Sequence, residues 1–469
     1  MKAVTPIASS YLANLLNGQP QPASSPSAWL NALRASAVER VGVLTVPTTR
    51  DEEWRFTDIS LLTKMSFHPV QAASNRDSSS GSIFTPTLTL PLEGGGNPPL
   101  PPSRGRAGMG VESVEPFFIE EATTRIVFVD GVYAPHLSNL AADGVKVSNL
   151  AADFAAHAAH LGQHVEFHNN VFAALNTAFL HDGAVVIVPR NVPVATPIHL
   201  LFIATQKEAV SYPRCLLLAE SGSAATVVED YVSLQDEAYF TNAVTEIALA
   251  DNARIHHIRV QRESVQAFHI ANCAVSLAQG SNYQSVNVAF GARISRYNLN
   301  VLQTAQGAEC TVDGLALVSG SQLADTHTCI DHAQPHGVSR QLHKCIVGGV
   351  AHAVFNGKIM VRPGAQRTDS QQSSRNLLLT GRAQVDTKPQ LEIFADDVKC
   401  SHGATVGQLD SEEVFYLQSR GLSETAARNL LTYAFGAEII DRIPIASLKM
   451  QLERTVNEQT ANEKTGRQL

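Results

Sequence analysis

Thiols and imidazoles are the side chains of this sequence whose types and spacing best suit chemistry. Cys400 and His402 stand two positions apart, and residues at i and i+2 of a β-strand point to the same face. Thiolate and imidazole are ligands for iron and for iron–sulfur clusters. A closed metal site normally takes four protein ligands. One such pair therefore predicts an incomplete site, which turns of the same chain or a second chain would have to complete.

A second group of thiols and imidazoles falls between residues 327 and 352. His327 with Cys329, and His343 with Cys345, have the same two-residue spacing. Two interpretations stay open, because a cysteine in a β-core is usually a small buried hydrophobe rather than a ligand. The full group comprises His327, Cys329, His332, His336, His343, Cys345 and His352.

Motifs and charge exclude several other functions. The chain has no G-x-x-x-x-G-K-[ST] loop and no strand-associated G-x-G-x-x-G set, so we expect it to bind no nucleotide. A net charge of -8 over 469 residues argues against a nucleic-acid partner. The sequence shows neither a polybasic run nor a long apolar stretch, so we expect no membrane partner.

The six cysteines contain no CxxC pair and are scattered along the chain. That distribution is typical of reduced thiols in a reducing compartment. The first thirty residues lack the pattern of a secretory signal. We therefore expect a cytoplasmic location, or the plastid stroma if the N-terminus is a transit peptide.

The elements that must position these residues change along the chain. Gly, Pro and Ser dominate one stretch, which cannot bury enough apolar surface to become ordered. Short β-rich runs dominate the longest part. The predicted regions are an N-terminal helical domain at 1–70, a flexible Gly/Pro/Ser-rich insertion at 71–116, a β-rich core at 117–408 with a helical insertion near 149–180, and a C-terminal helical domain at 409–469.

The β-rich core carries a weak repeat. No long amphipathic run separates its strands, which disfavours a βαβ sheet. A single turn of strands cannot bury its apolar face alone, and stacked turns can. The repeat therefore predicts a parallel β-helix, with a β-sandwich as the second interpretation. The turn residues that begin its units are Gly222, Asn252, Gly280, Gly307, Gly349 and Gly381.

Two flanking segments carry local signals. Residues 51–58 are charged and aromatic, which predicts a surface turn before the apolar Ile59.

In the C-terminal region Asp410 and Ser423 stand where helices would begin, and Gly421 stands where a helix would end. This helical region is too small to be stable alone. We expect it to pack on the β core, on a partner, or on both.

Three stretches together resemble a known family. Residues 389–407 read PQLEIFADDVKCSHGATVG, residues 415–421 read FYLQSRG, and residues 53–58 read EWRFTD. They resemble the SufB/SufD family, the scaffold proteins of the SUF iron–sulfur cluster assembly system, and within it the SufD type. The likeness is dense from about 330 to 442 and sparse elsewhere. It implies a right-handed parallel β-helix core flanked by N-terminal and C-terminal helical regions.

The resemblance also implies a scaffold function rather than an enzymatic one. Proteins of this type pair with a SufB-like paralogue and with a SufC-like ATPase, and a homodimer is a further alternative. By this likeness His402, with Cys400 beside it, would hold a transient iron–sulfur cluster or iron at the subunit interface. The residues expected to dock the ATPase are Asp410, Phe415, Tyr416 and Arg420.

Two functions from other classes remain open at this point. Many β-helix proteins are carbohydrate-active enzymes that use paired carboxylates, although the missing secretory signal counts against this alternative. A metal-storage protein is the other alternative, and it would require tight stoichiometric metal binding. The carboxylates available to an enzyme are Asp325, Asp331, Glu392, Asp396 and Asp397.

Overall fold

A computed structural model gives the fold, and it describes residues 7–17, 28–70, 114–141, 144–152 and 154–462. The chain divides into two compact units, one of residues 1–70 with 119–469 and the other of residues 71–118. Most of the predicted insertion, residues 71–113, lies outside the described residues. The fold described below is that of the first unit.

Helices lie at both ends of this unit, and the strands and one further helix, α4, lie between them. The helices are α1 (Ile7–Asn17), α2 (Ala28–Val43), α3 (Ser60–Lys64), α4 (Val171–Ala178), α5 (Ser411–Ser419), α6 (Glu424–Ile440) and α7 (Ala446–Asn462). Short 3₁₀ turns lie at Glu52–Trp54, Pro135–Leu137, Leu150–Ala152 and Ala155–His157. The strands are β1 (His68–Pro69), β2 (Thr124–Val129), β3 (Val132–Tyr133), β4 (Lys146–Asn149), β5 (Ala184–Val188), β6 (Ile198–Ala204), β7 (Ala209–Ser211), β8 (Arg214–Ala219), β9 (Ala224–Ser233), β10 (Phe240–Leu249), β11 (Arg254–Arg262), β12 (Phe268–Leu277), β13 (Asn282–Ala289), β14 (Ile294–Gln303), β15 (Glu309–Val318), β16 (Leu323–His332), β17 (Val338–Val347), β18 (His352–Val361), β19 (Asp369–Leu378), β20 (Gln384–Ile393) and β21 (Lys399–Gly407).

The strands form two stacked sheets of a parallel solenoid. From β8 onward the even-numbered strands lie in one sheet and the odd-numbered strands in the other, so each turn of the coil adds one strand to each sheet. Every strand from β9 to β19 pairs in parallel register with the strands one turn before and one turn after it. The predicted parallel β-helix flanked by helical regions is confirmed.

Aliphatic side chains stack along the inside of the coil. Ile247, Val275, Val301, Ile330 and Ile359 occupy matching positions on five successive strands of one sheet, and all five are buried. Each residue has apolar neighbours one turn before and one turn after it, so burial is complete only when the turns are stacked. This is the physical reason for the sequence repeat.

Residues with a left-handed backbone turn the chain between the sheets. Positive φ angles occur at five of the six predicted turn residues, but not at Gly381. The long interval between Gly307 and Gly349 has a structural cause, since Gly307 precedes β15 and Gly349 precedes β18 of the other sheet. The equivalent corners are His336 before β17 and Gly320 before β16, both with positive φ. The repeat seen in the sequence therefore combines corners of both sheets.

Gly349 is the corner where a side chain would meet the neighbouring turn most directly. Its φ is +58°, and an added Cβ would lie 2.8 Å from the backbone nitrogen of Gly320. We expect Gly349→Ala to lower the free energy of unfolding by about 1–2 kcal/mol or more, because strain and a backbone clash add. Urea unfolding measures the effect. Gly364→Ala is the control, because its φ is not left-handed and no atom lies within 4 Å of the added carbon; an equal loss in both variants would contradict the expectation.

The helices are held against the solenoid by apolar contacts. Leu15 of α1 and Val41 of α2 share a buried cluster with Phe172 of α4 and Phe240 of β10. At the other end, residues of α6 and α7 pack against the outer face of the odd-numbered sheet in a second cluster. The predicted packing of the C-terminal helices on the β core is confirmed. None of the helices in the described ranges is long and apolar enough to cross a bilayer.

The predicted helix signals are found at the ends of α5 and α6. The Asp410 side chain accepts a hydrogen bond from the backbone N–H of Glu412, and the Ser423 side chain accepts one from Ala426. Both interactions satisfy backbone donors that a helix start leaves unpaired. Gly421 follows α5 with a φ of +98°, as expected for a helix end.

Candidate functional site

The last turn of the solenoid leaves an open edge in each of the two sheets. Within the described chain, β21 pairs with β19 alone, and β20 pairs with β18 alone. Residues 401–407 are all exposed. An edge strand offers a row of unpaired backbone N–H and C=O groups to another chain. The predicted Cys400 and His402 lie on the edge formed by β21.

Cys400 and His402 point to the same face of β21. In the parallel register Cys400 aligns with Ser370 and His402 aligns with Gln372, and both partners are buried on the inward face of β19. The two-residue spacing thus places thiol and imidazole side by side at the open end of the coil. His402 is exposed and Cys400 is half-buried. Burial raises the pKa of the Cys400 thiol, so the protonated form predominates at neutral pH.

A buried polar layer lies directly beneath this pair. Ser370 and Gln372 both have partners on β17: the hydroxyls of Ser339 and Ser370 are 2.7 Å apart, and Gln372 Nε2 donates to Gln341 Oε1 at 2.8 Å. The interior of the coil is polar here, as it also is in the middle turns, where His257 Nε2 lies 3.1 Å from Glu229 Oε2. The sequence does carry a signal for this layer, because all residues of β19 from Asp369 to Asn376 are polar. The structure adds which of them point inward.

The second group of thiols and imidazoles does not converge. His327 and Cys329 line a groove on the outer side of β16, whereas His343 and Cys345 of β17 are buried inside the coil. Burial lowers the pKa of His343 to about 3, so this imidazole is neutral. Among the residues that the structure describes, no cluster of three or more His, Cys, Asp or Glu is arranged to hold a metal ion. The joint metal site that the spacing left open is therefore not formed.

Residues 51–58 are more than the predicted surface turn. The Arg296 guanidinium lies 3.9 Å from the centre of the Trp54 ring. Thr57 Oγ1 donates to Asp325 Oδ2 at 2.5 Å, and Arg296 donates to the same oxygen at 2.6 Å and to the backbone oxygen of Glu53 at 2.7 Å. Residues 51–58 thus lie across the outer face of the solenoid, and this segment is called the strap below. A groove of about 560 Å³ lies beside it.

His327 forms the charged link between this strap and the solenoid. Its two ring nitrogens lie 3.1 Å from Asp325 and 3.2 Å from Glu53. Burial opposes the charge of His327, but the two carboxylates outweigh it and raise its pKa. For Asp325, burial likewise opposes the charge, while Arg296 and His327 lower its pKa to about 2. The contacts therefore favour the charged form of His327 over the neutral one, compared with a free imidazole.

We expect the strap to loosen as the solution becomes alkaline. Because the folded-state pKa of His327 lies above its unfolded value of about 6.5, its stabilising contribution is complete below that pH and is lost as the pH rises through the folded-state pKa. Hydrogen exchange of residues 52–58, corrected for its intrinsic pH dependence, measures the loss. In His327→Gln this dependence should vanish; if it persists unchanged, another group is responsible.

The carboxylates proposed for a carbohydrate-active enzyme do not form a catalytic pair. Asp325 is buried and bound to Arg296. Four of the five candidates are bound to cations: besides Asp325, the pairs are Asp331 with Arg362, Glu392 with Lys358, and Asp397 with Arg367. This alternative is not favoured.

The predicted docking residues lie at the start and along the outside of α5. Phe415 and Tyr416 are 71% and 56% exposed, respectively. The Arg420 guanidinium lies 5.2 Å from the centre of the Tyr416 ring. Asp410 is used as the helix cap described above. A shallow groove of about 480 Å³ runs along this surface, lined by Asp410, Glu412, Glu413, Tyr416, Leu417 and Leu431.

Comparison with known proteins identifies the family. The family model described as the SufBD core domain of SUF system FeS cluster assembly matches residues 202–435, and that of the SufBD protein N-terminal region matches residues 117–200. The chain belongs to the SufBD family of iron–sulfur cluster assembly proteins. The SufBD core match covers most of the solenoid and includes both Cys400 and His402, so the resemblance drawn from the residues is confirmed.

Relatives within the SufBD family cover most of the chain. An iron–sulfur cluster assembly SufBD family protein of Synechocystis sp. is 39% identical over 441 residues, which is 90% of each chain. The iron–sulfur cluster assembly protein SufD of Escherichia coli is 36% identical over 335 residues, covering 70% of this chain and 78% of that protein. The chloroplastic protein ABCI7 of Arabidopsis thaliana is 30% identical over 454 residues, covering 95% and 89%.

Proposed function

We propose that this SufBD family protein is a non-catalytic scaffold subunit that helps to build a nascent iron–sulfur cluster at its open solenoid edge. The observation that carries the proposal is the exposed imidazole of His402 beside the thiol of Cys400, on a strand whose outer edge is unpaired in the described chain. The cluster is the cargo of this site. His402 would be a ligand, with Cys400 as a supporting or alternative ligand.

An incomplete set of ligands suits assembly better than storage. A site with four protein ligands is coordinatively closed. One imidazole and one thiol leave coordination positions open to sulfide and to groups of another subunit. A cluster held in this way is easier to release to an acceptor protein. This reasoning favours an assembly scaffold over the metal-storage alternative.

The open edge also suits a paired subunit. Backbone groups of β20 and β21 are free to continue the two sheets into a second solenoid. Apolar side chains accompany them, with Ile393 40%, Phe394 61% and Val406 49% exposed. Such apolar exposure at a strand edge is typical of an interaction surface. We propose a SufB-like paralogue as the occupant, and a homodimer is the alternative outcome.

The C-terminal helices supply a separate surface for a SufC-like ATPase. Phe415 and Tyr416 project from α5 with most of their surface exposed, and large aromatic side chains are common anchors at protein interfaces. Residues of α6 and α7, the helices that follow α5, pack against the solenoid. An ATPase bound here would be linked to the open edge through β21, which leads directly into α5.

Co-purification tests both partnerships. The tagged full chain, co-expressed with the paralogue and the ATPase, is expected to form a complex with one ATPase subunit per scaffold chain. The double variant Phe415→Ala, Tyr416→Ala should lose the ATPase and keep the paralogue. Met450→Ala, which removes another exposed apolar side chain (59%), is the matched control. Retention of the ATPase by the double variant would overturn the docking assignment, and a chain that purifies without either partner would overturn the scaffold proposal.

A further inference from the structure

A glutamine stands next to His402 on the neighbouring strand. Gln372 of β19 aligns with His402 of β21 in parallel register, so both side chains project from the same face of the sheet about 4.8 Å apart along it. Gln372 is 1% exposed. It is therefore the buried polar group that directly adjoins the exposed imidazole.

The amide of Gln372 is held in one orientation. Its Nε2 donates to Gln341 Oε1 at 2.8 Å, and Gln341 Nε2 in turn donates to Thr328 Oγ1 at 2.8 Å. Gln341 lies on β17, on the side of β19 opposite to β21. Because the amide nitrogen of Gln372 is used towards β17, its carbonyl oxygen remains available to a donor from another element, and β21 is the neighbouring strand on the other side.

That carbonyl oxygen lacks a partner. Gln372 Oε1 is buried and has no hydrogen bond with any residue that the structure describes. A buried acceptor left unpaired costs about 1–3 kcal/mol, so such a group normally has a partner. His402 is the residue of β21 that aligns with Gln372, and its imidazole carries an N–H donor. Binding of one ring N–H by this oxygen would satisfy both groups.

The facing strand leaves space for this amide. Gly357 of β18 lies opposite Gln372, and a Cβ at position 357 would stand 2.1 Å from Gln372 Nε2. Any larger residue at this position would therefore displace the amide. Gln341 and Gly357 therefore hold the Gln372 side chain from two sides. A side chain that orients another residue is expected to be held in this way.

We propose that Gln372 is a positioning residue that accepts a hydrogen bond from the imidazole of His402 and selects its tautomer. With one ring nitrogen holding the proton towards Gln372, the other presents its lone pair to the open edge. A metal-binding histidine usually donates its second N–H to such an acceptor, which fixes the ring and raises its basicity as a ligand. The metal-binding consequence rests on the proposed function, whereas the hydrogen bond itself does not.

Nitrogen-15 NMR of the metal-free full chain, selectively labelled at histidine, tests the hydrogen bond. At alkaline pH the His402 ring is expected to show one dominant tautomer in the native protein. Gln372→Met, which removes the acceptor at similar volume, should give a mixture of tautomers. Gln372→Glu keeps an oxygen at the same place and should restore the single tautomer. Gln371→Met is the matched control, because Gln371 is exposed on the other face of the same strand.

The strength of Fe²⁺ binding is a second measurement, and it tests what the hydrogen bond does for His402 as a ligand. In the assembled complex, Gln372→Met is expected to weaken Fe²⁺ binding about 10- to 100-fold, the usual cost of losing a group that orients a ligand, and Gln372→Glu should recover most of it. A native protein with mixed His402 tautomers would overturn the inference, even if no variant folds. A single tautomer together with normal cluster assembly in His402→Ala would leave the hydrogen bond standing and overturn the proposed function instead.

Discussion

The variant His402→Ala is expected to lose scaffold-dependent cluster assembly while keeping its fold. The imidazole is exposed on an edge strand, so its removal should leave the protein folded and lower the free energy of unfolding by no more than the proposed hydrogen bond to Gln372, about 1–3 kcal/mol. As a proposed ligand it should matter at least as much as a group that only orients a ligand, whose loss costs about tenfold or more. Iron and acid-labile sulfide in the purified complex, measured per scaffold chain, give the result.

The control for this variant is the adjacent Ser401→Ala. Ser401 is exposed on the same strand, but it projects from the opposite face because successive side chains alternate. It should therefore retain normal iron and sulfide. If the His402→Ala complex assembles with its partners and carries the same cluster content as the Ser401→Ala complex, then His402 is not a ligand and the site proposal fails.

The variant Arg214→Met is expected to cause the largest loss of stability. The Arg214 side chain is fully buried and ion-paired with the equally buried Glu246, and it also donates to Asn176 Oδ1 at 3.0 Å. Although burial opposes the charge of Glu246, Arg214 and two backbone N–H groups lower its pKa overall. Glu246 therefore stays ionised at neutral pH. Removal of the arginine leaves a buried charge without its counterion, which costs about 3–5 kcal/mol.

Urea unfolding of the full chain measures this loss through the shift of the midpoint. The comparison variant is Arg340→Met, which breaks an ion pair with Asp369 whose side chains are 41% and 47% exposed. An exposed pair contributes only about 0–1 kcal/mol, because water already stabilises both charges. If the two variants shift the midpoint equally, burial of the Arg214 pair is not what makes it important.

The sequence predicted those features that depend on neighbouring residues. The turn residues that precede many strands, such as Gly222 and Gly280, mark corners of the coil because few residues tolerate a positive φ. The shared face of Cys400 and His402 followed from the two-residue period of a strand. The caps at Asp410 and Ser423 followed from the side-chain oxygens that a helix start needs.

The residues of the second thiol–imidazole group do not form one site, because their strands belong to different sheets. The chain alternates between the two sheets, so His327 of β16 and His343 of β17 lie in different sheets although they are close in sequence. Side chains along a strand also alternate between the inside and the outside of the coil. This separates the two residues further, because His343 is buried inside and His327 lines the outer groove. Spacing along a single strand contains neither piece of information.

The local sequence alone thus determined a coil of short strands with a thiol and an imidazole on one face, since φ preferences, caps and the strand period act over a few residues. Tertiary structure alone decided where the coil ends, which leaves β21 at an open edge. It also decided that Thr57 meets Asp325, 268 positions away, and that Gln372 lies beside His402. The second contact arises because stacking brings successive turns to about 4.8 Å from one another, and the first because the N-terminal segment packs on the outside of the finished coil; no local pattern encodes either.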